Sequence, residues 1–253
     1  MPNDPLLFYL VGLPTVFLIA LSKGAFGGGL ATLGIPLLSL VMPPLDAAIV
    51  VAPLVSFMDL FAFGSFGPRT WSKGDILWLM PSLVVGIGIG YFFFTRVGPH
   101  LVAASIAAVT LLFTVHWFLS RKAKPSYMPP NPPLAVLAGT VSGFTTFVAH
   151  SGGPPVNMYL LRRGLNKTAY AGTNLAIFTL GNLIKLVPYG VLAYAKPATL
   201  LAAALLAPIV PVGVWVGVYL HRRLEQNQLY FWCYLLLAAA ASKLLFDALR
   251  ALA

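Results

Sequence analysis

Long apolar runs, broken by glycine, proline and short basic stretches, make up most of the chain. The first, Leu6–Leu21, meets Ser22-Lys23-Gly24-Ala25-Phe26-Gly27-Gly28-Gly29, after which Leu30–Met42 resumes and stops at Pro43-Pro44. Each piece is shorter than the ~20 residues a helix needs to cross a bilayer, and joined straight they are too long for one crossing. The pattern predicts a bent hairpin of two shorter helices that returns to its starting side. Leu45–Phe66, Gly74–Thr95 and His100–Leu119 follow, each long enough to predict one transmembrane helix. Ser120–Pro133, basic and then proline-rich, marks the midpoint. It divides the chain into a first membrane repeat, 1–120, a linker, 121–133, and a second repeat, 134–253.

The second half follows the same plan. Leu134–Ala149 enters, His150-Ser151-Gly152-Gly153-Pro154-Pro155 interrupts, and Val156–Leu161 resumes. A helix cannot run smoothly through two glycines and two prolines, because glycine raises its cost and proline removes amide donors. Thr168–Leu192, Pro197–Leu220 and Leu229–Leu249 are the next three apolar runs. Gly28-Gly29 matches Gly152-Gly153 at an offset of 124. Gly86, Gly90 and Arg96 match Gly213, Gly217 and Arg223 at an offset of 127, which implies a short insertion between. The expected fold is therefore an all-α polytopic membrane protein of two repeats, each a discontinuous helix hairpin plus three transmembrane helices.

Composition agrees. Of 253 residues, 59% are hydrophobic and 9% charged, whereas soluble domains carry about 25% charged residues. A water-soluble globule is excluded. The formal charge of +10 lies in short stretches between apolar runs, the longest being Arg121-Lys122-Ala123-Lys124. That is the distribution of charges that orient a membrane protein, and it points away from nucleic acid. Three crossings per half, an odd number, invert the second repeat relative to the first. One face then receives Arg69, Lys73, Arg121, Lys122, Lys124, Arg162, Arg163, Lys167, Arg222 and Arg223, and the other Arg96, Lys196 and Arg250. Ten against three puts the first face and the linker in the cytoplasm and both termini outside. Trp71, Trp117 and Trp232 lie near expected helix ends, as an aromatic belt requires. The N-terminus lacks a basic n-region, so Leu6 onward is expected to stay as the first helix. The single cysteine, Cys233, allows no intrachain disulfide and no Cys-based metal site, and no cofactor motif is expected.

Inverted repeats with discontinuous helices form a recurrent transporter plan, with substrate near the midplane. Helices resuming after Gly27-Gly28-Gly29 and after Gly152-Gly153 would offer backbone N–H groups and positive dipole ends to an anion, although Pro154 and Pro155 each remove a donor. Glycine also serves helix packing, the plainer reading of either break alone. Ionisable groups at membrane depth are costly and therefore functional candidates. Lys23 sits before the first break and His150 at the second, with an imidazole that titrates near neutral pH. Ser151 and Asn157 add neutral hydrogen-bonding groups. Asp59 and Lys185 lie well inside apolar runs at similar depths, so they read either as a structural ion pair or as part of transport. Thr173, Asn174 and Asn182 share the helix of Lys185, and the spacing of Asn174, Asn182 and Lys185 gives them one face. His100, His116 and His221 lie near helix ends and carry no assigned role.

The stretch Lys23–Gly29 with its continuation through Pro36, and His150–Pro155 with Ala171-Gly172-Thr173-Asn174, resemble the TauE/SafE sulfite exporter family over roughly residues 8 to 248. The resemblance implies a non-enzymatic transporter that moves a sulfur-containing anion, such as sulfite or an organosulfonate, across the bacterial inner membrane. Its partners would be the anion and the lipid bilayer, with protons as a candidate coupling ion and a homo-oligomer as a candidate assembly. The physical reading keeps two rivals open: a passive anion channel, and an intramembrane enzyme using Ser151 and His150.

Overall fold

The computed structural model describes residues 5–26, 30–63, 68–120, 127–194, 196–220 and 226–251. Those residues hold helices and no strand. The first half contains α1 (Pro5–Phe26), a 3₁₀ turn at Ala31–Leu33, α2 (Gly34–Leu38), α3 (Pro44–Phe63), α4 (Lys73–Arg96) and α5 (Pro99–Ser120). The second contains α6 (Pro132–Ala149), α7 (Gly153–Arg162), α8 (Lys167–Tyr194), α9 (Pro197–Leu206), α10 (Ile209–Leu220) and α11 (Gln226–Arg250). Proline opens α1, α3, α5, α6 and α9, where its missing N–H costs nothing and its fixed φ suits the first turn.

Among the described residues six helices are long and apolar enough to cross a membrane: Pro5–Gly24, Pro44–Phe61, Lys73–Arg96, Pro99–Ser120, Pro132–Ala149 and Gly172–Ala193. The α9–α10 pair, bent by 40°, makes a seventh if it is one span. Apolar side chains such as Leu77, Leu112, Leu137, Val187 and Phe246 lie on the outer surface. A lipid-facing helix carries such a surface while satisfying its backbone internally. This is a multi-pass membrane protein.

Three boundaries differ from the sequence expectation. α1 does not stop at Leu21 but runs 22 residues to Phe26, long enough to cross alone rather than as the short first arm of the expected hairpin, and Lys23 occupies its last turn. Lipid favours continuing the helical hydrogen bonds over exposing the backbone, and a cation there meets the negative dipole end. The run Leu30–Met42 yields only the 3₁₀ turn and five-residue α2 before turns lead to α3. Pro197–Leu220 breaks at Ala207-Pro208, because Pro208 has no amide for the carbonyl four residues earlier.

Glycine sets the closest helix crossings, as expected where lipid supplies no hydrophobic drive between helices. A Cβ on Gly86 of α4 would overlap the Thr140 carbonyl and approach Phe144 N and Gly143 Cα of α6. A Cβ on Gly213 of α10 would meet Ala20 Cβ, the Phe17 carbonyl and Leu21 N of α1. Gly86 and Gly213 differ by 127 positions, while residues 140, 143 and 144 exceed 17, 20 and 21 by 123 each. The α4–α6 and α1–α10 contacts thus recur at constant offsets.

Candidate functional site

The break after α6 is held by hydroxyls on α6 itself. Ser142 Oγ donates to the Gly152 carbonyl at 2.6 Å, and Thr145 Oγ1 donates to the Ser151 carbonyl at 3.2 Å. His150 caps the helix in the left-handed region, with φ 50°. Its N–H reaches the Thr146 carbonyl and the next amide, Ser151 N, reaches the Thr145 carbonyl, each at 3.1 Å. That cap is normally glycine, because an L side chain there costs about 1–2 kcal/mol. Gly152 leaves no room for a side chain, since a Cβ would approach Thr146 Cβ to 2.6 Å.

The strained backbone aims the imidazole between two helices. His150 Nε2 lies 3.2 Å from the Ala48 carbonyl of α3, and Nδ1 lies 2.7 Å from Lys185 Nζ of α8. A carbonyl can only accept, so Nε2 carries the hydrogen and Nδ1 offers its lone pair to the lysine. The ring also stacks on Tyr189 at 5.7 Å between centroids.

Lys185 is buried, and its other hydrogen-bond partner is Thr146 Oγ1 at 3.4 Å. Asp59, expected beside Lys185, instead pairs with Lys23 from the last turn of α1. Its second carboxylate oxygen accepts from Asn182 Nδ2 at 2.5 Å. Depth along the sequence cannot say which side chains face one another: α8 packs on α3 but presents Asn182 to Asp59, while α1 brings Lys23 to it. Ser56 Oγ bridges α3 to the Asn182 carbonyl at 3.3 Å. The centre therefore holds two buried lysine side chains, one carboxylate and a committed histidine.

These groups face a cavity of 460 Å³. Lys23, His150, Gly152, Gly153, Asn157, Asn174, Asn182 and Lys185 all line it. Thr32 and Thr146 line it too, and sequence reading passed over them because threonine in an apolar helix looks neutral. Thr32 Oγ1 and Asn174 Oδ1 are buried without a hydrogen-bond partner. Such groups are costly unless something pairs with them, and here the cavity supplies the space. Asn157 Oδ1 accepts from Tyr170 OH at 3.0 Å. Phe113, Trp117, Phe178 and Tyr234 form an aromatic wall, in which Trp117 and Tyr234 stack at 4.5 Å.

Three expected site residues stand outside the lining, and three more cannot be placed. Ser151 Oγ donates to the Ala149 carbonyl at 3.2 Å and makes no bond to His150. Thr173 Oγ1 accepts from Ser72 N at 2.8 Å, which fixes α8 to the start of α4. Asp59 sits behind Lys23 and Asn182. Gly27, Gly28 and Gly29 lie outside the described residues. Backbone donors also contribute less than expected. α2 is too short to carry an appreciable dipole, and the first turn of α7 loses donors at Pro154 and Pro155.

Polar clusters tie the helices at both ends of the bundle. Asp75, at the start of α4, accepts from Tyr159 OH at 2.7 Å, Arg163 Nε at 2.9 Å and Ser72 Oγ at 2.7 Å. Burial alone would lower the Arg163 pKa, but the hydrogen bond and charge of Asp75 more than reverse this and raise it. Arg163 Nη1 also donates to the Met128 carbonyl at 3.0 Å, binding the linker to this end. Asp46, at the start of α3 and hence a helix length away, pairs with Lys196 at 2.5 Å. Sequence reading missed the Asp75 cluster. Its one local signal is an acid in a helix's first turn after Ser72.

A sequence model of the family described as sulfite exporter TauE/SafE matches residues 12–244. No curated protein and no solved structure matches the chain.

Proposed function

The chain belongs to the sulfite exporter TauE/SafE family, and from that premise we propose that it is a secondary transporter of a small sulfur-containing anion, sulfite or an organosulfonate. The anion sits in the 460 Å³ cavity and is exposed alternately to the two sides of the bacterial inner membrane. The observation that carries this reading is the meeting of Lys23, His150 and Lys185 with the amides of Asn157, Asn174 and Asn182 on one buried cavity. Among the described residues only one carboxylate, Asp59, accompanies the two lysines, so with Lys185 protonated the site holds one positive charge for an anion to balance. Lys185 supplies the free charge, the amides and threonines orient the oxygens, and Lys23 with Asp59 joins α1 to α3.

The recurrent glycine crossings at offsets of 123 and 127 support two inverted halves that rock against each other around the cavity. Ion clusters at the two ends, Asp75 with Arg163 and Asp46 with Lys196, are placed to open in turn. In this arrangement the basic face is cytoplasmic and both termini are outside.

Flux of labelled sulfite and of alkanesulfonates into proteoliposomes tests the proposal. Saturable flux, reduced about 30-fold or more by Lys185→Met, is expected from the loss of a charge-assisted hydrogen bond of ~2–3 kcal/mol. Absence of saturable flux across the panel refutes it. An unsaturated, voltage-driven conductance in bilayer recordings would make the protein a channel instead.

A further inference from the structure

We infer that Lys185 and His150 take up one proton together when an anion enters the cavity, with Lys185 as its seat, so that anion movement is coupled to proton movement. This rests on the transport reading above and adds its coupling ion.

The inference comes from counting partners. Lys185 is fully enclosed, and its two hydrogen-bond partners, His150 Nδ1 and Thr146 Oγ1, are both neutral. The nearest carboxylate, Asp59, is engaged by Lys23 and by Asn182. The other charged groups on elements packed against α8 are placed or partnered elsewhere. Asp75 of α4 holds Arg163, Lys196 before α9 holds Asp46, and Arg69 lies in the turn beside the start of α8. Tyr189, on α8 itself, donates to the Phe147 carbonyl at 2.5 Å. His116 of α5 lines the cavity wall near the end of that helix. A protonated Lys185 in the empty protein would thus be a buried cation with no counter-charge of its own, an arrangement that an anion in the cavity completes.

The histidine geometry fixes how many protons the pair can hold. His150 Nε2–H is committed to the Ala48 carbonyl, and Nδ1 faces Lys185 Nζ at 2.7 Å. With the lysine as a neutral amine, one of its hydrogens points at Nδ1. When an anion arrives, the amine nitrogen binds one proton and becomes an ammonium. It keeps its bond to Nδ1 and turns another N–H toward the anion. A second proton on Nδ1 would set N–H against N–H across the same contact, so the pair accepts one. The anion becomes the missing counter-charge, and anion plus proton cross the low-dielectric interior as a neutral unit.

Calorimetric titration of the purified protein with an alkanesulfonate, which stays ionised throughout, tests this in buffers of different ionisation enthalpy over roughly pH 6 to 9. Wild-type protein is expected to take up about one proton per anion, and its affinity to fall by about tenfold per pH unit at the alkaline end. Lys185→Arg, which cannot deprotonate, is expected to bind with pH-independent affinity and no proton uptake. Sulfonate binding by the wild type without proton uptake, or uptake that persists in the arginine variant, overturns the coupling alone. Failure of sulfite and every sulfonate tested to bind overturns the transport reading and the coupling with it.

Discussion

The ion pair between Lys23 and Asp59 offers a sharp test of how the centre is held together. Both side chains are buried, joining the last turn of α1 to the C-terminal part of α3, and Asp59 also anchors Asn182 of α8. Asp59→Asn keeps the shape but leaves the Lys23 ammonium without its charge partner. Removing one member of a buried pair typically costs about 3–5 kcal/mol, most of it the penalty on the stranded charge. For a chain of this size each kcal/mol shifts a reversible melting midpoint by roughly 2–4 °C, so a loss on the order of 10 °C is expected. The double variant Lys23→Met/Asp59→Asn strands no charge and should recover more than half of that loss, giving a coupling of about 2 kcal/mol or more in a double-mutant cycle closed by the Lys23→Met single. Detergent thermal unfolding followed by tryptophan fluorescence reads all four proteins. A saturating alkanesulfonate should raise the midpoint of Asp59→Asn more than that of wild type, because two lysines then share the anion. A variant as stable as wild type, or a double variant less stable than both singles, refutes the reasoning.

Gly86→Ala should destabilise by at least about 1–3 kcal/mol, because the new Cβ meets Thr140 backbone rather than a yielding side chain. Gly88→Ala, two residues along the same helix, meets nothing within 4 Å and should gain about 0.5–1 kcal/mol, with melting midpoints checking both. The two end clusters should also differ in cost. Arg163→Met breaks a bond to buried Asp75 and should lose about 3 kcal/mol, whereas Lys196→Met breaks a pair with the lysine 39% exposed and should lose less than about 1 kcal/mol.

Much of the helix layout is legible in the apolar runs, because in lipid a long apolar run has few alternatives to a helix. The residues that face the cavity were legible for a related reason. Lys23, His150, Asn182 and Lys185 are expensive inside a bundle unless they face something polar, and all four line the same space. What the sequence hides is which side chains of packed helices face one another. Asp59 and Lys185 have similar depths and opposite charge, yet the α1–α3 contact gives Asp59 to Lys23. Helix breaks are hidden too. Pro81 and Pro208 are 127 positions apart, but α4 runs unbroken through Pro81 while α9 ends before Pro208. Thr32 and Thr146 escaped notice because a hydroxyl can bond to its own helix as readily as to a ligand.

The offset that relates the crossings also relates side chains of the centre. Adding 123 to Asp59 reaches Asn182, and the two touch, so α3 and α8 cross where their equivalent positions meet. Adding 123 to Lys23 reaches Thr146. The ion pair of one half therefore corresponds to an amide and a hydroxyl in the other. Two copies of the ion pair would give a neutral centre with no charge to spare. Asn182 and Thr146, at the positions offset by 123, carry no charge, so Lys185 once protonated adds one cation beyond balance. Its counterpart at position 62 is an alanine. The single group most specific to this chain's chemistry is then Lys185, oriented by the imidazole that the strained cap at His150 holds against it.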